Sequence, residues 1–264
     1  MKVNPKKHLG QHFLTETSVA TRLAEAIAAP EGRVLEIGPG TGMLTRALQE
    51  RKFDRLKLVE IDRDSIAFLK EKHPEFKDDL IEGDFLRLDI NGIFGGETFT
   101  LAGNFPYNIS SQILFRIFEN REIIPEMVGM FQKEVAERVS TGPGSKTYGI
   151  LSVLLQAYYQ IDYLFTVNEN CFNPPPKVKS AVMRLSRNER KALPVSDNFF
   201  KAVVKAGFNQ RRKTLRNSLS AFLPNPAPEA LGEVLKLRPE QLSVDAFAAL
   251  AQALYQIAQD RPTH

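Results

Sequence analysis

The stretch RVLEIGPGTGM, residues 33–43, decides how the chain folds. Residues 33–37 form a short apolar run with the length and flanks of a buried strand. Residues 41–51 then carry Met43, Leu44, Ala47 and Leu48 at helical spacing. Between them, Gly38, Gly40 and Gly42 let the backbone approach a ligand closely and present the amides of a helix N-terminus to it. This is not the dinucleotide fingerprint, because Met43 stands where that motif has its third glycine. Taken alone such a loop is also compatible with a plain tight turn, so its meaning depends on its neighbours.

Those neighbours alternate between the two kinds of pattern. A helix is predicted over 16–29, ended by Pro30-Glu31-Gly32, and a strand over 56–61 is followed by a helix over 65–72. Further strands are predicted over 80–82, 98–102 and 127–131, with a helix over 110–118 capped by Ser110. Strands alternating with helices predict an α/β fold with a doubly wound parallel sheet. Residues 151–167 and 180–185 read as one more helix and the closing strands, around the stiff turn Pro174-Pro175-Pro176. After Pro194 strand signals stop. Helical patterns over 198–207, 211–222, 228–236 and 244–258 place a small all-helical domain from Leu193 onward, dividing the chain into 1–192 and 193–264.

Two acids stand where an open sheet binds ligands. Glu60 ends the second strand about twenty residues beyond the glycine loop, where a carboxylate accepts from the hydroxyls of a ribose. Asp84 ends the third, where it can meet an adenine amine. Either acid alone, like Asp62 two residues from Glu60, could be a satisfied strand-end charge or a turn cap. Their joint placement at the carboxyl ends of successive strands favours a nucleoside site.

Residues 104–107 read NFPY and follow the apolar run 99–103. An aromatic amine such as adenine N6 is a poor nucleophile because its lone pair is delocalised into the ring. The Asn104 carboxamide oxygen, beside a backbone carbonyl held rigid by Pro106, offers two acceptors to the two N–H groups of such an amine. Tyr107 can stack on the base.

Composition narrows the partners. The 264 residues, 43% hydrophobic and 25% charged, are those of a soluble globular protein with room for a sizeable core. No stretch approaches the length of a membrane span and the N-terminus lacks a signal-peptide core, so a cytoplasmic protein is expected. The single cysteine, Cys171, excludes an intrachain disulfide and a multi-cysteine metal site. The four histidines (8, 12, 73 and 264) lack HExxH spacing, so no metal is expected. The net charge of +4 is unevenly spread: residues 171–216 hold twelve basic and two acidic side chains, leaving −6 for the rest. With four phenylalanines in the same segment, this reads as the footprint of RNA, with Lys177, Lys179, Arg211, Arg212, Lys213 and Arg216 as candidate contacts.

EIGPGTG (36–42), Glu60, Asp84, NFPYNIS (104–110), FNPPPKVKS (172–180) and the opening KKHLGQHFL (6–14) together resemble the ribosomal RNA adenine dimethylase family. The resemblance runs from the N-terminal arm to the C-terminal helices. It implies a Rossmann-like S-adenosylmethionine-dependent methyltransferase domain with a helical RNA-binding domain. The implied activity is N6,N6-dimethylation of two adjacent adenosines in a hairpin loop near the 3′ end of small-subunit (16S) rRNA, with a role in small-subunit biogenesis. It implies that His12 and Leu14 close over the cofactor, that Gly38 and Gly40 line its methionine and ribose portion, and that Glu60 and Asp84 hold its ribose and adenine. Asn104 would stand between cofactor and target, with Tyr107 and Phe172 sandwiching the base. His12 and Phe105 depart from the family's usual Asn and Leu. Small-subunit rRNA, free or in the assembling 30S subunit, is the expected partner of a monomer. A large-subunit resistance methylase, a non-catalytic assembly factor and a DNA adenine methylase are the competing readings.

Overall fold

The computed structural model describes residues 3–28 and 32–260. The chain opens with an arm that carries strand β1 (Phe13–Leu14) and leads into helix α1 (Thr17–Glu25). This helix closes before the predicted 29, and Ala29, Pro30 and Glu31 lie outside the described residues. There follow β2 (Arg33–Ile37), α2 (Met43–Glu50), β3 (Arg55–Glu60), α3 (Arg63–Lys72), β4 (Leu80–Glu82) and β5 (Thr100–Asn104). Then come α4 (Ser110–Glu119), β6 (Glu126–Gln132), α5 (Lys133–Ser140), α6 (Ile150–Gln156), β7 (Tyr159–Val167), β8 (Phe172–Asn173) and β9 (Ser180–Arg187). The last helices are α7 (Asp197–Asn209), α8 (Leu215–Ser218), α9 (Gly232–Lys236) and α10 (Val244–Gln259).

Seven strands form one sheet in the order β4-β3-β2-β5-β6-β9-β7. The pairs from β4 through β6 are parallel, and β9 runs antiparallel to β6. The order reverses between β2 and β5, because β3 and β4 are laid down on one side of β2 and β5 and β6 on the other. At such a switch point the loops after the two strands diverge and leave a crevice at their carboxyl ends. The loop after β2 is the glycine loop, and the residue that ends β5 is Asn104. The middles of the central strands are fully buried (Leu35, Leu58, Leu101, Ala102, Met127 and Val128 are all 0% exposed), as expected of strands covered by helices on both faces.

Compactness divides the chain at other points than 192/193. One unit comprises Met1–Ala136 with Gln160–Arg187, the other Glu137–Tyr159 with Asn188–His264. The predicted division is therefore corrected. Residues 137–159 belong with the helical unit because α6 packs on α7 and α10, burying Val153, Leu154 and Leu155 completely. Polar contacts reinforce this: Gln156 donates to the carbonyls of Val139 and Thr141 (2.8 and 2.9 Å), and the Tyr158 hydroxyl donates to Asp197 (2.7 Å). Ser196 and Ser243 cap α7 and α10 through the Phe199 and Ala246 amides. Ser110, by contrast, is the first residue of α4 and not its cap; its hydroxyl donates back to the Pro106 carbonyl (3.3 Å).

Candidate active site

A cleft opens at the switch point within the first unit. It is walled by the arm from Leu9 to Phe13, by the turns after β2, β3 and β4, and by residues 104–109. Of the residues singled out from sequence, His12, Gly38, Gly40, Glu60, Asp84, Asn104, Pro106 and Tyr107 line it. Leu14 and Phe172, expected over the cofactor and against the base, do not line it. The two residues face each other across the β1–β8 ladder and are 5% and 4% exposed, in an apolar cluster with Val19, Leu23 and Val182. A strand alternates its faces, so Phe13 looks into the cleft while Leu14 turns to the core with Phe172 opposite it. Phe172 thus helps anchor the arm.

The glycine loop behaves as its composition requires. Gly38 and Gly40 have φ of 66° and 58°, a left-handed conformation that strains any other residue. A Cβ on Gly40 would sit 2.8 Å from the Phe13 ring, whereas one on Gly38 would meet nothing within 4 Å. The backbone at Gly38 is therefore open to a ligand, while Gly40 is closed by the arm.

Glu60, 5% exposed, already has three donors. One oxygen accepts from the Ile61 and Asp62 amides (2.8 and 2.9 Å), the other from the Gly40 amide (3.1 Å). Burial pushes its carboxyl above the ordinary range, and these three amides partly offset that. A carboxylate oxygen accepts about two hydrogen bonds. Glu60 can thus take one hydroxyl without losing an amide, and a second only by releasing one. Asp84 accepts from the Leu86 amide (2.9 Å) and pairs with Arg87 (3.6 Å), so it does cap a turn while lining the cleft. Ile61, 53% exposed on the cleft wall, adds an apolar face that the sequence did not mark. Acceptors for hydroxyl and amine, an apolar face and an open glycine backbone together fit a nucleoside.

At the other bank the Asn104 Nδ2 donates to the His12 carbonyl (2.8 Å). That bond fixes the amide's orientation and leaves Oδ1 as the acceptor at the cleft. The Pro106 carbonyl is occupied by the Ile109 amide and the Ser110 hydroxyl. Among the described residues no such donor engages the Phe105 carbonyl, which leaves that oxygen able to accept. The Phe105 side chain is itself buried against Phe131, centroids 4.8 Å apart. The Tyr107 hydroxyl meets Ser180 Oγ at 2.5 Å, and burial raises its pKa above the ordinary phenol value, so the phenol stays protonated at neutral pH. His12 replaces the expected Asn with a ring whose Nδ1 donates to the Pro174 carbonyl (2.8 Å) and whose face tilts against Tyr107 (5.4 Å). Among the described residues no three His, Cys, Asp or Glu side chains are grouped as a metal site requires.

This geometry coincides with a match across the chain. The family described as ribosomal RNA adenine dimethylase matches residues 2–255. The chain belongs to that family. It is 55% identical over 250 residues to the ribosomal RNA small subunit methyltransferase A of Bacteroides thetaiotaomicron, covering 94% of this chain and 93% of that one. A relative of the same name from Porphyromonas gingivalis is 52% identical over 258 residues, covering 97% and 100%. Among solved structures, a dimethyladenosine transferase from Plasmodium falciparum superposes with a TM-score of 0.76 at 24% identity, over 94% of this chain and 98% of that one. The 23S rRNA methyltransferase ErmE superposes at 0.67 and 27% identity, over 90% and 98%. The family's fold is thus a Rossmann-like sheet with a helical part, as observed here.

One residue of the glycine motif sets a pH dependence of stability. Glu36 is 1% exposed, and its carboxylate receives the Thr45 hydroxyl (2.7 Å). Burial pushes its carboxyl up to about 8, with Thr45 pulling down and the nearby Glu60 adding a little. Between roughly 4.5 and 8 the folded chain therefore holds a proton that the unfolded chain has lost. The contribution is complete below that window and is lost as pH rises through it, by at most about 1.4 kcal/mol per pH unit. Glu36→Gln, which mimics the protonated acid, is expected to flatten the slope in urea unfolding at pH 5, 6.5 and 8. Parallel curves for the two proteins would mean that Glu36 titrates normally.

Proposed function

We propose that this chain uses S-adenosylmethionine to dimethylate N6 of two adjacent adenosines in a hairpin loop near the 3′ end of small-subunit rRNA. The observation that carries the reading is the Asn104 amide, oriented by the arm so that Oδ1 faces the cleft that also holds Glu60 and Asp84. Bound there, the cofactor supplies an already activated sulfonium methyl. Gly38 would lie along it, Glu60 would take a ribose hydroxyl, and Asp84 would accept from its adenine amine. The chain's own work is then positioning and charge placement, not generation of a nucleophile.

Asn104 Oδ1 and the Phe105 carbonyl accept from the target N6, drawing its lone pair out of conjugation and stabilising the positive charge that grows there. Tyr107 offers a ring for the base to stack on. The alkylated aromatic ammonium is acidic and needs no strong base to lose its proton. The second transfer begins from an amine with one N–H left, which a site with two acceptors and no third obligatory contact admits. The target must leave its stack, which an unpaired loop allows more readily than a duplex.

RNA affinity is assigned to exposed cations on each unit. Lys177 and Lys179 stand exposed on the loop between β8 and β9 of the first unit, and Arg212, Lys213 and Arg216 are exposed on the helical one. Arg211 differs from the sequence expectation: its guanidinium donates to the carbonyls of Tyr148 (2.8 Å) and Ser145 (3.4 Å), tying the α7–α8 turn to the segment before α6. Arg212→Glu is therefore expected to weaken RNA binding and lower its salt slope by about 1, with the melting temperature unchanged. Arg211→Glu is expected to lower the melting temperature as well. A salt slope for Arg212→Glu equal to that of the parent would remove it from the interface.

The deciding experiment is transfer of labelled methyl to small ribosomal subunits lacking adenine dimethylation, with large-subunit RNA and duplex DNA in parallel, followed by nucleoside analysis. Dimethyladenosine in the small subunit alone is expected. Label in either other substrate would redirect the specificity, and no label with cofactor bound would overturn the catalytic reading.

A further inference from the structure

The arm crosses the cleft, and its two attachments differ in kind. On the NFPY side it is held by neutral bonds. These are the Asn104 and Asn108 amides on the carbonyls of His12 and His8 (2.8 and 3.2 Å), the β1–β8 ladder, and the Thr15 amide on the Cys171 carbonyl (2.9 Å). On the other side the attachment is ionic and converges on one carboxylate. Asp62, 2% exposed, accepts from Lys6 Nζ, from Gln11 Nε2 (3.1 Å), from the Ser65 hydroxyl (3.1 Å) and from the Asp64 amide (3.3 Å). Lys6 Nζ also reaches Asp64 (2.9 Å), and the Lys6 amide donates to Gln11 Oε1 (2.8 Å), so residues 6 and 11 close into one loop before meeting Asp62.

We infer that Asp62 is a positioning residue that latches the arm over the cofactor cleft, and that the arm is released at this end when cofactor enters and leaves. The inference rests on the cofactor reading above. Two features direct the opening to this side. The Lys6 side chain is about one-third exposed (31%), so water and salt compete for it, whereas Leu14 and Phe172 at the opposite attachment are core residues. Asp62 also lies two residues past Glu60 and gives its own amide to the Glu60 carboxylate (2.9 Å). A first ligand hydroxyl at Glu60 joins the carboxylate that the Asp62 amide already holds and a second would displace an amide, so occupancy of the cleft and closure of the latch share one short segment of backbone. With the latch closed, the arm holds the His12 carbonyl where it orients Asn104, which links cofactor retention to the acceptor that receives the target.

The variants are Asp62→Asn, which keeps an N-cap on α3, and Lys6→Met, which removes the charge but keeps the stem. Cofactor dissociation is followed by stopped flow from 50 to 500 mM salt, alongside methyl transfer at saturating cofactor and amide hydrogen exchange over residues 6–13. In the parent chain dissociation is expected to accelerate with salt. In both variants it is expected to be about tenfold faster at low salt and nearly independent of salt. The Michaelis constant for cofactor should rise by a similar factor, with kcat changed less than threefold. A merely structural role would lower the melting temperature without abolishing the salt dependence. Dissociation from Lys6→Met that matches the parent at every salt concentration overturns the latch. Should the parent bind no cofactor, the reading beneath the proposal fails. Arm exchange, which needs no ligand, then judges the latch by itself, with faster exchange in both variants supporting it and unchanged exchange overturning it.

Discussion

Asn104→Ala is expected to lower methyl transfer by about 10²–10³-fold, the loss typical of removing one preorganised hydrogen-bonding group from charge that develops in a transition state. Cofactor affinity should fall far less. The side chain makes one neutral bond to the arm, the Nδ2 donation to the His12 carbonyl, worth about 1 kcal/mol or roughly fivefold in affinity. The β1–β8 ladder, the Asn108 bond and the contacts at Asp62 remain to hold the arm in place. The separation between the two losses is what the assigned role requires. Single-turnover transfer and calorimetric titration with cofactor measure them independently. Asn104→Asp sharpens the test: it keeps an acceptor toward the base but sets a carboxylate oxygen against the His12 carbonyl, where a donor is needed. It is expected to weaken cofactor binding more than the alanine variant does. Equal loss of binding and transfer in Asn104→Ala would assign the residue to the arm alone.

The parts of this site that sequence made legible are those whose chemistry is local. The glycine loop, Glu60, Asp84 and NFPY each sit at the end of a strand marked by its own apolar run, and the alternation of runs placed those ends together. Contacts between distant segments were not legible. Leu14 and Phe172 pair across 158 residues of chain, and only the ladder between them decides that both face the core. The same holds for Lys6 with Asp62, and for Arg211, whose cluster QRRK reads as a nucleic-acid grip until its carbonyl partners are seen. Helix α5 is not legible for another reason. It starts at the residue after β6 with no intervening turn, so Ala136 and Val139, buried at helical spacing, merge with the apolar strand before them. The segment 211–222 reads as one helix because its apolar spacing is continuous, but it folds as α8 and a separate short turn over Ser220–Phe222.

Gly129 reads in sequence as an ordinary glycine in a strand, yet a single methyl there is expected to disable the site. Gly103 and Gly129 stand directly opposite each other in the β5–β6 register, and the ring of Phe105 fills the slot that the two absent side chains leave. A Cβ on Gly129 would lie 2.7 Å from Phe105 Cδ2 and closer still to Cε2. The ring cannot retreat freely, since it is 1% exposed and packed on Phe131. Overpacking of this kind costs about 1–3 kcal/mol in stability. The catalytic cost should be larger, because Phe105 carries one proposed acceptor and joins Asn104 to Pro106. A displacement near 1 Å at a positioning element lowers a rate by about 10²-fold. Gly129→Ala is therefore expected to remain folded and bind cofactor through Gly38, Glu60 and Asp84, while losing about two orders of magnitude in transfer. The family's usual residue at position 105 supplies the control. Leucine lacks Cε2 and Cζ, two of the three ring atoms that meet Gly129, and its remaining methyls can rotate, so Gly129→Ala combined with Phe105→Leu should regain most of both stability and rate. A double variant as impaired as the single one would place the damage in the backbone of β6 instead of the slot.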